Sequence, residues 1–338
     1  MTTPSSPRSD ADSAHPPVSA WRADPSPSET ASPDYHRAYV NANHGIGRGI
    51  GALVTLLTGF IVLSVIVYGV GSLTEVAMYG QNVALAGGAK YTPVTFITMF
   101  SGSAFLIPWS ILVQKWFYGL PGNSLASVRS VFRPSIVGRT VIYVLPVWAV
   151  YIASLTVTAP PLSAEPLSAL ELGVIFGAAL ILTPLQAAGE EFAFRGVTFR
   201  IFGCWTRSPR TGLVLGVLAS SVGFGLFHAA TDPWLIFYYT ATGVGMAIIT
   251  WLTGGLECSI AIHTINNTLS TLLMLVLFQS MVIPDRTNGA GSPVLLIPIA
   301  LLGAIIAVIG LRKKRGIHRA SAGAPSGDIV SDRKEGGQ

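Results

Sequence analysis

The stretch Gly189-Glu190-Glu191-Phe192-Ala193-Phe194-Arg195-Gly196 places two adjacent carboxylates and an arginine at the end of a long hydrophobic run. A carboxylate buried in a membrane is costly unless it is paired, hydrated or neutralised, so ionisable residues at such depth indicate function. On a helix, Glu191 and Arg195 lie at i and i+4 and can form an ion pair, whereas Glu190 is rotated by roughly 100° to another face. The spacing predicts one structural carboxylate, Glu191, and one reactive carboxylate, Glu190.

The composition is that of a polytopic membrane protein. Half of the 338 residues are hydrophobic and only 11% are charged, whereas about 25% of the residues in a soluble domain are charged. The mean hydropathy is +0.56. Cys204 and Cys258 fall in or beside predicted helices, so they indicate packing rather than a disulfide framework. The net charge of +5 does not predict a nucleic-acid partner, because the basic residues fall in loops between hydrophobic segments.

Three regions follow from the distribution of apolar residues. Residues 1–45 are rich in Pro, Ser, Ala and Asp and lack a long apolar run, so we expect a disordered tail. No signal peptide is expected, since the first apolar run begins near Gly49 and is long enough to span the bilayer. We expect a transmembrane helical domain at residues 46–315 and a second disordered tail at residues 316–338.

The apolar runs predict an all-α protein with about eight transmembrane helices around a polar cavity. Each run is close to the ~20 residues needed to cross ~30 Å of hydrocarbon. The predicted spans are residues 49–72, 93–114, 139–158, 170–191, 211–229, 234–252, 257–280 and 293–311, and the fourth helix is expected to continue through residue 203.

The charges of the loops predict the orientation in the membrane. Three segments on one side carry most of the basic residues, whereas the opposite loops carry only Lys90 and Arg286. Positive loops favour the cytoplasmic side, so both termini should be cytoplasmic, in the plasma membrane if the protein is bacterial. The basic residues are Lys115, Arg129, Arg133 and Arg139 before the third span; Arg195, Arg200, Arg207 and Arg210 after the fourth; and Arg312, Lys313, Lys314, Arg315 and Arg319 after the eighth.

Two further polar insertions follow the paired carboxylates. His228 ends the stretch Phe224-Gly225-Leu226-Phe227-His228, and His263 and Asn267 lie at i and i+4 in the seventh span. Either insertion alone is as consistent with helix packing as with catalysis. Because they occupy consecutive polar positions in the second half of the chain, together with Glu190, they predict a functional site.

This residue set can support hydrolysis in two ways. A carboxylate and an imidazole can activate a water molecule, while a second imidazole and a carboxamide donate hydrogen bonds to the developing oxyanion. Alternatively, Glu190, His228 and His263 can bind zinc and leave one coordination position for water. The spacing of the residues leaves both mechanisms open.

The three motifs Glu190-Glu191-x-x-x-Arg195, Phe224-x-x-x-His228 and His263-x-x-x-Asn267 resemble those of the CPBP family, the Abi or type II CAAX prenyl endopeptidase-like intramembrane proteases. The resemblance covers about residues 170–280. It implies an eight-helix core with an endopeptidase site in a cavity open to the cytoplasm. By motif position it also implies that Glu190 and His228 activate water and that His263 and Asn267 stabilise the oxyanion. Both metal-dependent and metal-free mechanisms have been considered for this family.

The depths of these residues set a structural requirement. In straight, perpendicular helices, a rise of 1.5 Å per residue would place Glu190 roughly 20 Å, His228 roughly 27 Å and His263 roughly 9 Å from the cytoplasmic face. The side chains can then meet only if the helices are tilted or broken around a hydrated cavity, which the glycines at 189, 196, 223 and 225 would permit.

The resulting hypothesis is an intramembrane endopeptidase acting on a membrane protein or lipidated, CAAX-type peptide, most simply without a cofactor and alternatively with zinc. The main alternative is a non-catalytic scaffold or bacteriocin-immunity-type protein that binds a membrane partner. A transporter is a more distant alternative, because no paired repeat with interrupted helices is visible. The enzyme is favoured because burying several polar side chains in a membrane costs free energy that a scaffold has no need to spend. These side chains are Glu190, Arg195, His228, His263 and Asn267. Glu191, Arg195 and Phe224 are expected in supporting positions.

Overall fold

The computed structural model describes residues 34–42, 45–83, 91–158 and 166–322, with side chains through residue 314. In these ranges every regular element is helical, and extended pairing is limited to one isolated bridge between Ser127 and Gly255. The α-helices are α1 (Ile46–Tyr79), α2 (Pro93–Ala104), α3 (Leu106–Tyr118), α4 (Pro134–Thr158), α5 (Ala169–Glu191), α6 (Phe199–Gly203), α7 (Pro209–Phe227), α8 (Pro233–Thr253), α9 (Glu257–Phe278) and α10 (Leu296–Ala322).

The predicted all-α fold and its eight spans are confirmed in the described part of the chain. Eight segments there are long and apolar enough to cross a membrane. The second comprises α2 and α3, which meet at Phe105, and the fourth runs from α5 through a π-helical segment into α6, Ala169–Gly203. The expected continuation of the fourth helix to residue 203 is therefore also present.

Local sequence signals set the ends of several helices. Ser168 and Glu171 form a capping box at the start of α5, which satisfies N–H groups that lack a helical partner. The carboxylate of Asp232 accepts a bond from the N–H of Leu235 at the start of α8. At the other end of α8, Gly254 has a φ of 66°, the left-handed conformation typical of helix C-termini.

The helix α5 lies at the centre of the fold and carries the paired carboxylates. It packs against α2 on one side and α9 on the other, while α4 covers α9, α7 packs on α8, and α10 packs on α8. Gly189 permits the close approach of α5 to α2, because a Cβ atom there would lie 2.0 Å from the carbonyl oxygen of Ser103. This arrangement brings the C-terminal end of α5 beside α7, α8 and α9.

The structure corrects the predicted N-terminal tail. Residues 34–42, expected to be disordered, pack against the helices, and Tyr35 and Tyr39 are 1% and 0% exposed. The hydroxyl of Tyr35 donates to the carbonyl of Leu125 at 2.6 Å, and the guanidinium of Arg200 lies 4.0 Å from the centre of the Tyr35 ring. These contacts join parts of the chain far apart in sequence. Residues 1–33 and 43–44 of the predicted tail lie outside the described residues.

Other boundaries also differ from the sequence-based expectation. The backbone of α10 continues to Ala322, whereas a tail was expected from residue 316; residues 323–338 lie outside the described residues. Arg195 and Arg200, counted from sequence among the basic residues that follow the fourth span, are instead buried at 0% and 1% exposure. The first helix extends past residue 72 and carries a buried acid, Glu75, which accepts hydrogen bonds from the hydroxyls of Thr92 and Thr95.

Candidate active site

The end of α5 presents two carboxylates, and both contact the ring of His263 on α9. Glu190 and Glu191 occupy its last turn and are followed by a π-helical segment, Phe192–Thr198. π-Helical segments are rare and occur frequently at functional sites, because the wider turn changes the direction of the side chains. Here the segment carries Arg195, whose side chain is fully buried.

Glu191 is held by two cationic or polar partners. Its Oε1 atom accepts from Nη1 of Arg195 and from Nδ1 of His263, each at 3.0 Å. The Arg195 guanidinium also lies 4.2 Å from the centre of the Phe224 ring. The ion pair expected from the i, i+4 spacing is thus present, and it additionally fixes the orientation of the His263 ring.

Glu190 has one bonded and one unbonded oxygen. Its Oε1 atom accepts from the side-chain amide of Gln186, one helical turn earlier. Its Oε2 atom is buried and has no hydrogen-bond partner among the described residues, although it lies 3.7 Å from Nε2 of His263. Because His263 Nδ1 is engaged by Glu191, its Nε2 atom is the nitrogen that faces Glu190.

The buried cluster pairs acidic with basic side chains. Glu191 and Arg195 neutralise each other, and the His263 ring lies beside the second carboxylate, Glu190. Burying an uncompensated charge is strongly unfavourable. A carboxylate beside an imidazole can accept a proton from water and return it to a leaving group.

A chain of amides continues from Glu190 to α4. Asn267 donates through Nδ2 to the Oε1 atom of Gln186 at 3.0 Å and accepts from Nδ2 of Asn266 at 2.9 Å. The indole N–H of Trp148 donates to Oδ1 of Asn266 at 3.0 Å. Asn267 is therefore fixed relative to Glu190 through Gln186, and one of its two amide hydrogens remains available to a ligand.

His228 lies at the end of α7 on the other side of this group. Its Nδ1 atom lies 2.8 Å from the carbonyl oxygen of Phe224, so this nitrogen carries the proton and Nε2 of the neutral ring is an acceptor. The ring stacks on Tyr239 with centroids 3.8 Å apart, and Nη1 of Arg286 donates to the His228 carbonyl at 2.6 Å. Among the described residues no hydrogen bond or ion pair joins His228 directly to Glu190.

A cavity of about 60 Å³, which is enough for a few water molecules, lies between His228, His263 and Asn267. Asn266, Trp148 and Tyr239 also line it. The helices α7 and α9 are both continuous, so the expected alternative of broken helices does not apply to these two spans. The irregularity occurs in the fourth span instead, as the π-helical segment after Glu191.

The zinc alternative would require Glu190, His228 and His263 to converge on one ion. The Nδ1 bonds of the two histidines leave both Nε2 atoms free, as in many metal-binding histidines. In the part of the chain that the structure describes, however, no three His, Cys, Asp or Glu side chains lie close enough to hold a metal ion. The arrangement does not fit a three-ligand zinc site, and the chemistry below is therefore derived from the side chains alone.

Several contributors to this site were not predicted from the sequence. Gln186 could have been found, because it lies four residues before Glu190 and is polar within an apolar span. Asn266 belongs to an Asn266-Asn267-Thr268 glycosylation sequon that lies inside the seventh span, and this pattern does not predict a role in the site. Trp148, Tyr239 and Arg286 carry no sequence signal for this role, since their contacts depend on how separate helices and a loop pack together.

Comparison with known proteins places these motifs in a family. The model of the family described as type II CAAX prenyl endopeptidase Rce1-like matches residues 172–269. The uncharacterized protein YyaK of Bacillus subtilis (strain 168) is 33% identical over 99 residues, which cover 28% of this chain and 32% of that protein. The match thus spans about a third of the relative's length. No solved structure gives a significant match. The family match confirms the resemblance carried by the three motifs.

Proposed function

We propose that this chain, whose residues 172–269 match the Rce1-like family model, is an intramembrane endopeptidase. Its proposed substrate is a membrane-associated or lipidated, CAAX-type protein. The observation that carries the proposal is the buried Oε2 atom of Glu190, which has no hydrogen-bond partner among the described residues and lies 3.7 Å from Nε2 of His263. A buried carboxylate oxygen without a hydrogen-bond donor is unfavourable unless it binds a ligand.

In the proposed reaction, Glu190 removes a proton from a water molecule as that water attacks the scissile carbonyl carbon. The neutral His228 ring can accept a hydrogen bond from the same water through Nε2, from the opposite side of the cavity. His263, through an N–H at Nε2, and the free amide hydrogen of Asn267 can then donate to the carbonyl oxygen as it becomes negative. Glu190 finally returns its proton to the leaving amine, so the carboxylate is regenerated.

The positions of the supporting residues favour this division of roles. Glu191 and Arg195 keep the His263 ring in one orientation, and Gln186 does the same for both Glu190 and Asn267. Preorganised donors in a site with little water stabilise developing charge without first having to reorient. Each polar side chain of the group therefore has a use in hydrolysis.

The test is cleavage of a prenylated C-terminal peptide by purified protein in nanodiscs. Glu190→Gln should reduce turnover by about 10² or more, in the range typical of lost general acid–base catalysis, while folding remains normal. Glu171→Gln is a matched control on the same helix, because glutamine can also serve in a capping box. Near-normal cleavage by folded Glu190→Gln would exclude Glu190 as the base.

Metal dependence is tested on the same preparation. Under the metal-free proposal, exhaustive chelation followed by removal of the chelator should leave cleavage unchanged. Stoichiometric zinc in active protein, with activity lost on its removal and restored only by metal, would replace this mechanism but retain the peptidase. If wild-type protein cleaves neither lipidated peptides nor membrane proteins yet retains a membrane partner through purification, the scaffold alternative is correct.

A further inference from the structure

A second and larger cavity lies outside the proposed active site. It is a groove of about 720 Å³ between α4 and α10, with the ends of α8 and α9 forming its floor. Apolar side chains line most of the groove, among them Val147, Leu301, Ala304, Ile305 and Val308. Whereas α4 packs on α9 and α10 packs on α8, the space between α4 and α10 remains open.

One end of this groove is strongly positive. Arg139 lines it near the start of α4, and Arg312 and Lys313 line it near the end of the described side chains of α10. All three side chains are exposed. The Arg312 guanidinium lies 5.4 Å from the centre of the Tyr143 ring. The Nζ atom of Lys313 lies 5.5 Å from the centre of the Trp251 ring. Among the described residues none of these cations forms an ion pair with a carboxylate.

The dimensions of the groove match one leaflet of a bilayer. From Leu301 to Arg312 the helix advances 11 residues, or about 16 Å at 1.5 Å per residue. The hydrocarbon of one leaflet is half of ~30 Å, or about 15 Å deep. A lipid with its headgroup at the cations would therefore have its acyl chain along the apolar part of the groove.

We propose that this groove binds an anionic phospholipid, with the phosphate at Arg139, Arg312 and Lys313 and an acyl chain between α4 and α10. Basic pockets between transmembrane helices bind anionic headgroups in this manner. Charge complementarity favours an anionic lipid over a zwitterionic one, since the pocket supplies three unneutralised cations. The proposal does not depend on peptidase activity, and its test measures binding alone.

The groove also adjoins the proposed active site. Trp148 lines both cavities, and its indole N–H donates to Asn266 beside Asn267. The inner end of a bound acyl chain would therefore contact the residue that separates the groove from the catalytic amides. Lipid binding and the peptidase site share this wall, although Arg and Lys side chains line only the groove and not the smaller cavity.

Binding is measured by native mass spectrometry and by the thermal shift of purified full-length protein on addition of phosphatidylglycerol or phosphatidylcholine. We expect saturable, preferential retention of phosphatidylglycerol. Replacing both Arg312 and Lys313 with Ala should weaken it by on the order of tenfold. The matched control is the Arg207→Ala, Arg210→Ala pair, which removes the same charge from exposed positions away from the groove.

A second variant tests the acyl-chain position without changing charge. Ala304→Phe should narrow the groove and reduce phosphatidylglycerol retention, while gel filtration shows an unchanged folded protein. Equal retention of the two lipids, equal losses in both charge variants, or full retention by folded Ala304→Phe would each overturn the proposal. So would a dimer that retains no lipid and dissociates in Ala304→Phe, because a second copy would then occupy the groove.

Discussion

The structural role of Glu191 can be tested separately from the proposed catalytic role of Glu190. Its carboxylate is 0% exposed and contacts both Arg195 and His263. Removing one partner of a buried ion pair typically costs about 3–5 kcal/mol, a large share of the ~5–15 kcal/mol by which proteins are stable. We therefore expect Glu191→Gln or Arg195→Ala to lower the yield of folded protein, measured as monodisperse material after membrane extraction.

The protein that still folds in these variants should be partly active, because Glu190 is retained. Glu190→Gln provides the comparison, since it should keep a normal yield and lose turnover. A normal yield for both Glu191→Gln and Arg195→Ala would show that their interaction contributes little to folding.

Asn267 is predicted to act on the oxyanion. Loss of one oxyanion donor typically lowers the rate by about 10²–10³-fold, so Asn267→Ala should be slowed by that amount in kcat while remaining folded. Ser270→Ala is a suitable control one turn later on α9. Among the described residues, the Ser270 hydroxyl donates only to the carbonyl of Asn266. If Asn267→Ala cleaves at the wild-type rate, Asn267 positions Gln186 but does not contact the reacting atoms.

At the scale of elements, helix periodicity predicts contacts within a helix but not between helices. The i, i+4 rule predicted the Glu191–Arg195 pair. It could not predict that His263 lies between Glu190 and Glu191, because that contact depends on the rotation of α9 relative to α5. The same limit explains why the packing of Tyr35 against Leu125 was missed, since these residues are 90 positions apart.

The segment 34–42 is predicted to make stability sensitive to pH. The Nε2 atom of His36 lies 3.0 Å from the carbonyl oxygen of Pro209, and Nδ1 is buried without a hydrogen-bond partner. Burial lowers the pKa of His36 below its ordinary value of 6.5, although the Pro209 carbonyl opposes the shift. The unfolded chain therefore binds a proton at higher pH than the folded protein does, and the folded state loses stability as pH falls below 6.5.

Thermal unfolding at a series of pH values between about 7.5 and 5.5 tests this linkage. The midpoint should fall with pH in wild-type protein and fall less in His36→Asn, which cannot be protonated. Parallel pH profiles for the two proteins would show that His36 does not contribute to the linkage. The comparison between the proteins removes the contribution of other titrating groups.

At the scale of the whole molecule, the loop charges retain their asymmetry after correction for burial. Arg195 and Arg200 are enclosed by the fold and no longer count as loop cations. Arg207 and Arg210 remain exposed beside them. On the opposite side, Arg286 is partly buried and donates to the His228 carbonyl, so it has a structural role. Among the described residues, the remaining exposed basic side chains still lie on the side predicted to be cytoplasmic.

This asymmetry and the helix order predict one topology. Three spans separate Gln81 from Arg207, namely Pro93–Tyr118, Pro134–Val157 and Ala169–Gly203. An odd number of crossings places the two positions on opposite sides of the membrane.

Reporter fusions test this topology. Alkaline phosphatase is active only outside the cytoplasm, and green fluorescent protein fluoresces when it folds inside the cytoplasm. A phosphatase fusion after Gln81 and a fluorescent fusion after Arg207 should therefore both be active, and the reciprocal fusions should be inactive. A fluorescent fusion after Gln338 should also be active, because the predicted C-terminus is cytoplasmic. If Gln81 and Arg207 report the same side, one of the three intervening segments does not cross the bilayer. If all reporters are reversed, the spans are correct but the loop charges predict the wrong orientation.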